Sequence, residues 1–95
     1  MRKITQRAVQ AFINKYPFNQ QNTSISIIND IQSLMFLHGH CIARLGPNGL
    51  EINHCGYLTN TTKERLNGIP GVNIQQKKGI WYLNGKEMLD GWNKI

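Results

Sequence analysis

The sequence predicts an α+β domain, and three observations carry that prediction. Apolar residues near the amino terminus recur every four positions and stop at a proline. Between Thr23 and His54, runs of alternating apolar and polar residues are separated by turn-forming pairs. From Asn60 to Gly85 the chain spells a short capped helix, a stop and a tight hairpin. The simplest assembly is an N-terminal helix, an antiparallel β-meander, a short helix and a C-terminal β-hairpin, with a single layer of sheet packed on helix.

The first element rests on Ile4, Ala8, Phe12 and Tyr16, a stripe widened by Val9 and Ile13, so Thr5 to Tyr16 reads as an amphipathic helix. Pro17 ends it. Arg2, Lys3 and Arg7 crowd the positive end of its dipole, where each cation costs up to about 1 kcal/mol. Either salt screens that cost or an anionic partner lies there.

Phe18 to Asn22 reads as a polar loop. In the meander, Asn29-Asp30 and His38-Gly39 are two-residue turns and Gly46-Pro47-Asn48-Gly49 is a turn tetrad. These turns set Ile28 against Ile31, Leu37 against His40 and Leu45 against Leu50. Ile25, Ile27, Leu34, Phe36, Cys41, Ala43, Leu45, Leu50 and Ile52 then share the buried face, and Arg44 opposes Glu51 on the other. A three-residue loop ending at Gly49 is the alternative; it shifts the last pairing by one and sets Cys41 opposite Cys55. The unshifted register keeps the apolar face intact. Its outer face holds Ile28, Met35, Leu37 and Ile42, which a second copy of the chain could cover.

The short helix begins at Thr61, whose spacing from Glu64 matches a capping box. Gly68 sits where a left-handed C-terminal cap belongs and Pro70 forbids continuation. In the hairpin, Val72 to Gln76 and Ile80 to Leu83 are joined by Lys77-Lys78, with Ile74 opposite Trp81 and Val72 opposite Leu83. One face is then apolar, and Asn73, Gln75, Ile80 and Tyr82 lie on the other. Asn84-Gly85 is a further turn, beyond which Leu89 and Trp92 are candidates for docking.

Ninety-five residues make a single domain, 1–95, and no apolar stretch approaches a membrane span. Two cysteines are too few for a disulfide scaffold, which points to a reducing cytoplasm. The net charge of +6 favours an anionic partner, either nucleic acid or an acidic protein face. His38, His40, Cys41, His54 and Cys55 are the sole metal-like group, but they fall on both faces of the sheet and match no zinc spacing. A Cys41–His54 nucleophile pair lacks an orienting group. Asp30, Glu51 and Glu64 are assigned to a turn, a cross-strand pair and a cap. No phosphate-binding glycine motif is present. The expectation is a non-enzymatic protein with no metal and no cofactor. Its candidate partner-binding or nucleic-acid-binding residues are Lys63, Arg65, Lys77, Lys78, Ile80, Tyr82 and Lys86, where cations coincide with an aromatic ring.

Asn60-Thr-Thr-Lys-Glu-Arg-Leu-Asn67, Ile74-Gln-Gln-Lys-Lys78 and Trp81-Tyr-Leu-Asn-Gly-Lys-Glu87 resemble small uncharacterised accessory proteins of tailed bacteriophages and prophages. Leu37-His38-Gly39, Asn48-Gly49-Leu50 and Gly56-Tyr57 extend the likeness over most of the chain. Those proteins often carry Trp where this sequence has Met88 and Asn where it has His40. The resemblance implies a phage gene product acting in the host bacterial cytoplasm. By analogy it implies an inhibitor of host machinery such as an anti-CRISPR, partnered by a host protein or ribonucleoprotein complex. A small nucleic-acid-binding accessory protein is the alternative.

Overall fold

The computed structural model describes residues 2–95. Helix α1 runs over Lys3–Asn14 and buries Ile4, Thr5, Ala8, Val9, Ala11 and Phe12. It starts and stops two residues before the expected bounds. Lys15 turns left-handed (φ 59°) and closes the helix before Pro17 is reached. The buried stripe is narrower than the pattern of apolar residues, and Ile13 and Tyr16 lie on the solvent side.

Five strands follow in a meander: β1 Phe18–Gln20, β2 Thr23–Ile28, β3 Gln32–Leu37, β4 His40–Gly46 and β5 Gly49–Ile52. The segment expected as a polar loop is thus largely an edge strand, with Phe18 opposite Ile25. The His38-Gly39 and Pro47-Asn48 turns, and the Leu37–His40, Leu45–Leu50 and Arg44–Glu51 pairs, fall where the turn chemistry placed them. The unshifted register therefore holds, and Cys55 lies outside the strands.

The β2–β3 pairing differs. Ile31 N–H donates to Ile28 O at 3.1 Å, as a two-residue turn requires. The ladder then slips by one, because Ile31 swings out to 54% exposure and Ile28 pairs with Gln32. Met35 and Leu37 consequently face the core, and Leu34, Phe36 and Cys41 do not. A bulge on β4 at Ile42 absorbs the slip, since Met35 pairs with Ala43 but Phe36 with Cys41. Ile42 and Ala43 are both buried as a result. With Met35, Leu37 and Ile42 inside the chain's own core, the apolar outer face that suggested a second copy is not formed; only Ile28 of that set is exposed.

After β5, helix α2 spans Asn60–Asn67 and strands β6 Ile74–Lys77, β7 Ile80–Leu83, β8 Lys86–Glu87 and β9 Asn93–Lys94 complete the fold. β9 adds to β5 as the sixth strand of the first sheet, and β6, β7 and β8 form a second, three-stranded sheet. Both sheets and both helices share one core: Phe12, Ile25, Met35 and Ile52 are continuous with Leu66, Ile74, Trp81 and Met88.

The cap of α2 is Thr59, whose hydroxyl accepts from Thr62 N–H at 3.2 Å, not Thr61. Gly68 is right-handed (φ −72°). What demands glycine there is space: a Cβ would lie 2.7 Å from Thr5 Cγ2 and 3.0 Å from Val9 Cγ2. The hairpin turns at Lys78-Gly79, one residue later than expected, with both residues left-handed. Ile74 therefore pairs with Leu83 and Trp81 with Gln76. The shift keeps the apolar face, since Val72, Ile74, Trp81 and Leu83 are all buried. At the carboxyl end Leu89 is exposed and Met88 docks in its place, while Trp92 is covered by the Arg44 guanidinium at 3.9 Å from the ring centroid.

Candidate functional site

The second sheet is anchored at the base of its hairpin by two asparagines. Asn67 of α2 accepts from Ile74 N–H at 2.6 Å and donates to Ile74 O at 3.1 Å, filling a backbone position on the outer edge of β6. Asn84 accepts from Asn73 N–H at 2.9 Å and donates to Gly71 O at 3.0 Å. The base of the hairpin, at the end away from the Lys78-Gly79 turn, is thus held.

Cross-strand pairs share a face, so Lys77 stands beside Ile80, and Gln75, Tyr82 and Glu87 form one row. Lys77, Ile80 and Tyr82 of the candidate set come together on the outer face, with Lys78 at the tip. Ile80 is 42% exposed and Tyr82 half-buried. Glu87, opposite Tyr82, places a carboxylate in the same face. Lys86 pairs with Leu83 and so belongs to the opposite face. Lys63 also sits away from Tyr82; its ammonium donates to Gln76 Oε1 at 3.2 Å and lies 5.9 Å from the Trp81 ring centroid. Among the described residues, Lys63, Lys77, Lys78 and Lys86 have no carboxylate within ion-pair distance; those ion pairs involve Arg2, Arg44, Arg65 and His54.

Arg65 leaves the surface altogether. Its side chain has no exposure, because position 65 falls on the face of α2 that meets α1 and β2. Its Nε donates to Thr23 Oγ1 at 3.1 Å and its Nη1 to Thr5 Oγ1 at 2.7 Å and to Glu64 Oε1. Glu64 Oε1 also accepts from Thr5 Oγ1 at 2.9 Å and from Arg2 Nε at 3.1 Å. The anion at the head of α1 is therefore internal. Burial alone would push the Glu64 carboxyl up; hydrogen bonds from Thr5 and Arg2, with the charges of Arg2 and Arg65, outweigh it and hold the pKa below its ordinary value. Arg65 Nη2 has no partner.

The cysteines and histidines are separately engaged. Cys41 Sγ donates to Ala43 O at 3.5 Å and Cys55 Sγ to Cys41 O at 3.1 Å. Burial pushes both thiols up, which lowers their thiolate fraction at neutral pH. His54 Nδ1 accepts from Gly56 N–H at 2.9 Å, and its Nε2 lies 3.4 Å from Asp90 Oδ1. Cys41 and His54 are thus each committed to other partners. A cleft walled by the His38-Gly39 turn and the Tyr57–Thr62 segment had no signal in the sequence beyond the Gly56-Tyr57 pair, since its walls are about twenty residues apart in the chain.

Among the described residues no helix is long and apolar enough to cross a membrane. The family described as Kyanoviridae Gp96 protein matches residues 1–94, almost the whole chain. No curated protein and no solved structure matches it.

Proposed function

We propose, from the premise that this chain belongs to the Kyanoviridae Gp96 phage protein family, that it is a binding protein without catalytic activity. It acts in the host bacterial cytoplasm by docking on host machinery, foremost a defence complex such as a CRISPR effector. The observation that carries this reading is the juxtaposition of Lys77 and Lys78, free of carboxylate partners among the described residues, with exposed Ile80 and half-buried Tyr82 on a hairpin anchored at its base. An aromatic and an aliphatic contact with two lysines at one end is a composition suited to a protein interface that meets an acidic surface.

The second reading, a nucleic-acid-binding module, uses the same cations with Tyr82 as a stacking platform. Glu87 opposite Tyr82 weighs against it, because a carboxylate in the stacking face repels phosphate. The deciding experiment is affinity purification of the tagged protein from a defence-carrying host, with and without nuclease, followed by salt titration of the recovered complex. A protein partner survives nuclease and loses little affinity with salt; a nucleic-acid partner is lost to nuclease and its affinity falls steeply through counterion release. A K77E/K78E double variant that retains every partner removes the hairpin from both readings.

A further inference from the structure

We propose that the cleft between the His38-Gly39 turn and the start of α2 is a binding site for one planar nitrogen heterocycle of the nucleobase class. It shares no residue with the hairpin and does not rest on the reading above. The cleft encloses about 180 Å³, below the ~300 Å³ at which sites for drug-sized ligands begin, which suits a single flat ring system. Its floor is apolar, made by the buried Leu37 and Ile42. That floor exists because the β3 slip and the β4 bulge turn both residues inward.

The rim is aromatic and polar. His40 and Tyr57 stand with ring centroids 4.5 Å apart and planes tilted by 31°, and Tyr57 remains 50% exposed. Rings so placed at the rim offer a stacking surface to a further planar ring. The exposed imidazoles of His38 and His40, the Tyr57 phenol and the Thr61 hydroxyl supply donors and acceptors around the edge. A hydrocarbon ring would cover these groups without bonding them, which costs affinity; the edge of a base can bond them. Arg2 and Glu64 line the adjoining hollow with Thr61, the Arg2 Nε donating to the Glu64 carboxylate at 3.1 Å, and the chain carries a net charge of +6. The net charge favours the phosphate that accompanies bases in nucleotides and in strands.

The test is a titration of the full chain followed by backbone amide NMR. The probes are the four ribonucleoside monophosphates, a ten-nucleotide single strand, ribose 5-phosphate and N-acetyltyrosine amide. The expected result is movement of amides in Leu37–Ile42 and Tyr57–Thr62 with at least one monophosphate and none there with ribose 5-phosphate. Tyr57→Ala should weaken binding about tenfold or more, and His40→Ala, at the exposed first residue of β4, should weaken it as well. Tighter binding of the strand assigns the base to a single strand; equal binding assigns it to free nucleotides. The proposal is overturned if ribose 5-phosphate matches the monophosphates, if N-acetyltyrosine amide binds the cleft more tightly than any of them, or if no probe moves these amides.

Discussion

Arg65 Nη1 donates to the Thr5 hydroxyl at 2.7 Å across the contact between α2 and α1, and the guanidinium has no exposure. A buried cation is costly unless its hydrogen bonds are filled, and here Nη2 is not. The network ties three elements together, yet its members do not all depend on Arg65: Thr5 still donates to Glu64, and Thr23 to Asn22 Oδ1 at 2.8 Å.

Truncation and isosteric replacement should therefore separate. Arg65→Ala empties a filled core position and is expected to cost about 2–5 kcal/mol in urea unfolding. Arg65→Met keeps the apolar stem, removes the orphaned donor and is expected to cost less than about 1 kcal/mol or to stabilise. Equal losses in the two variants would show that the charge itself holds the helices together.

Glu64 gives the acid limb of stability its sign. Its folded pKa lies below the ordinary value of 4.5, so the unfolded chain binds the proton more tightly. The stabilisation is complete above the unfolded value and is lost as pH falls through the folded one. The wild-type midpoint temperature should drop below about pH 4.5, and Glu64→Gln should be less stable at pH 7 with a flatter acid limb. Parallel profiles for the two proteins would remove Glu64 from the acid transition.

Two glycines should respond to alanine for different reasons. At Gly68 the backbone is permissive, but the new methyl meets Thr5 and Val9, an overpacking expected to cost about 1–3 kcal/mol. At Gly79 nothing lies within 4 Å, and the cost, about 1 kcal/mol, comes from φ +79° alone. Thr5→Ser or Val9→Ala should relieve Gly68→Ala and leave Gly79→Ala unchanged in thermal unfolding.

Lys78 allows charge and folding to be varied in opposite directions. It is a non-glycine residue at φ +52° in a two-residue hairpin turn, a position that favours Gly or Asn. Lys78→Gly should raise stability by about 0.5–1 kcal/mol while weakening binding of an acidic partner. Weaker binding by a more stable protein cannot be ascribed to unfolding, and undiminished binding would take the hairpin tip out of the interface.

Turn chemistry made much of the fold legible. His38-Gly39, Pro47-Asn48 and Asn84-Gly85 stand where expected, and the apolar spacing of Ile4, Ala8 and Phe12 located α1. Features set by tertiary space were hidden. Thr61 has the capping-box spacing to Glu64, yet Thr59 caps α2 and the Glu64 carboxylate is engaged by Arg2, Thr5 and Arg65 instead. Arg65 reads as a surface cation until Thr5 and Thr23 surround it. Of the candidate site, Lys77, Lys78, Ile80 and Tyr82 could be read from strand alternation. Lys63 and Lys86 are near in sequence but leave on other faces, since charge carries no information about which side of an element a residue takes.

The one-residue slip in β3 was the hardest to see, because both faces of Gln32–Leu37 are apolar enough to pass for the buried one. Leu34 and Phe36 are larger and more strand-like than Ser33, so pattern alone favours the wrong set. Exposure of Ile31 at the turn, and the compensating bulge at Ile42, bring Met35 inward to zero exposure between Ile25 and Ala43. Alanine substitution distinguishes the registers. Met35→Ala should cost about 2–5 kcal/mol, because it opens a cavity in the shared core. Leu34→Ala, at a half-buried position on the outer face, should cost less than half as much. The reverse order in urea unfolding would place Leu34 and Phe36 in the core, and with them would go the inward turn of Leu37 and Ile42 that forms the floor of the cleft.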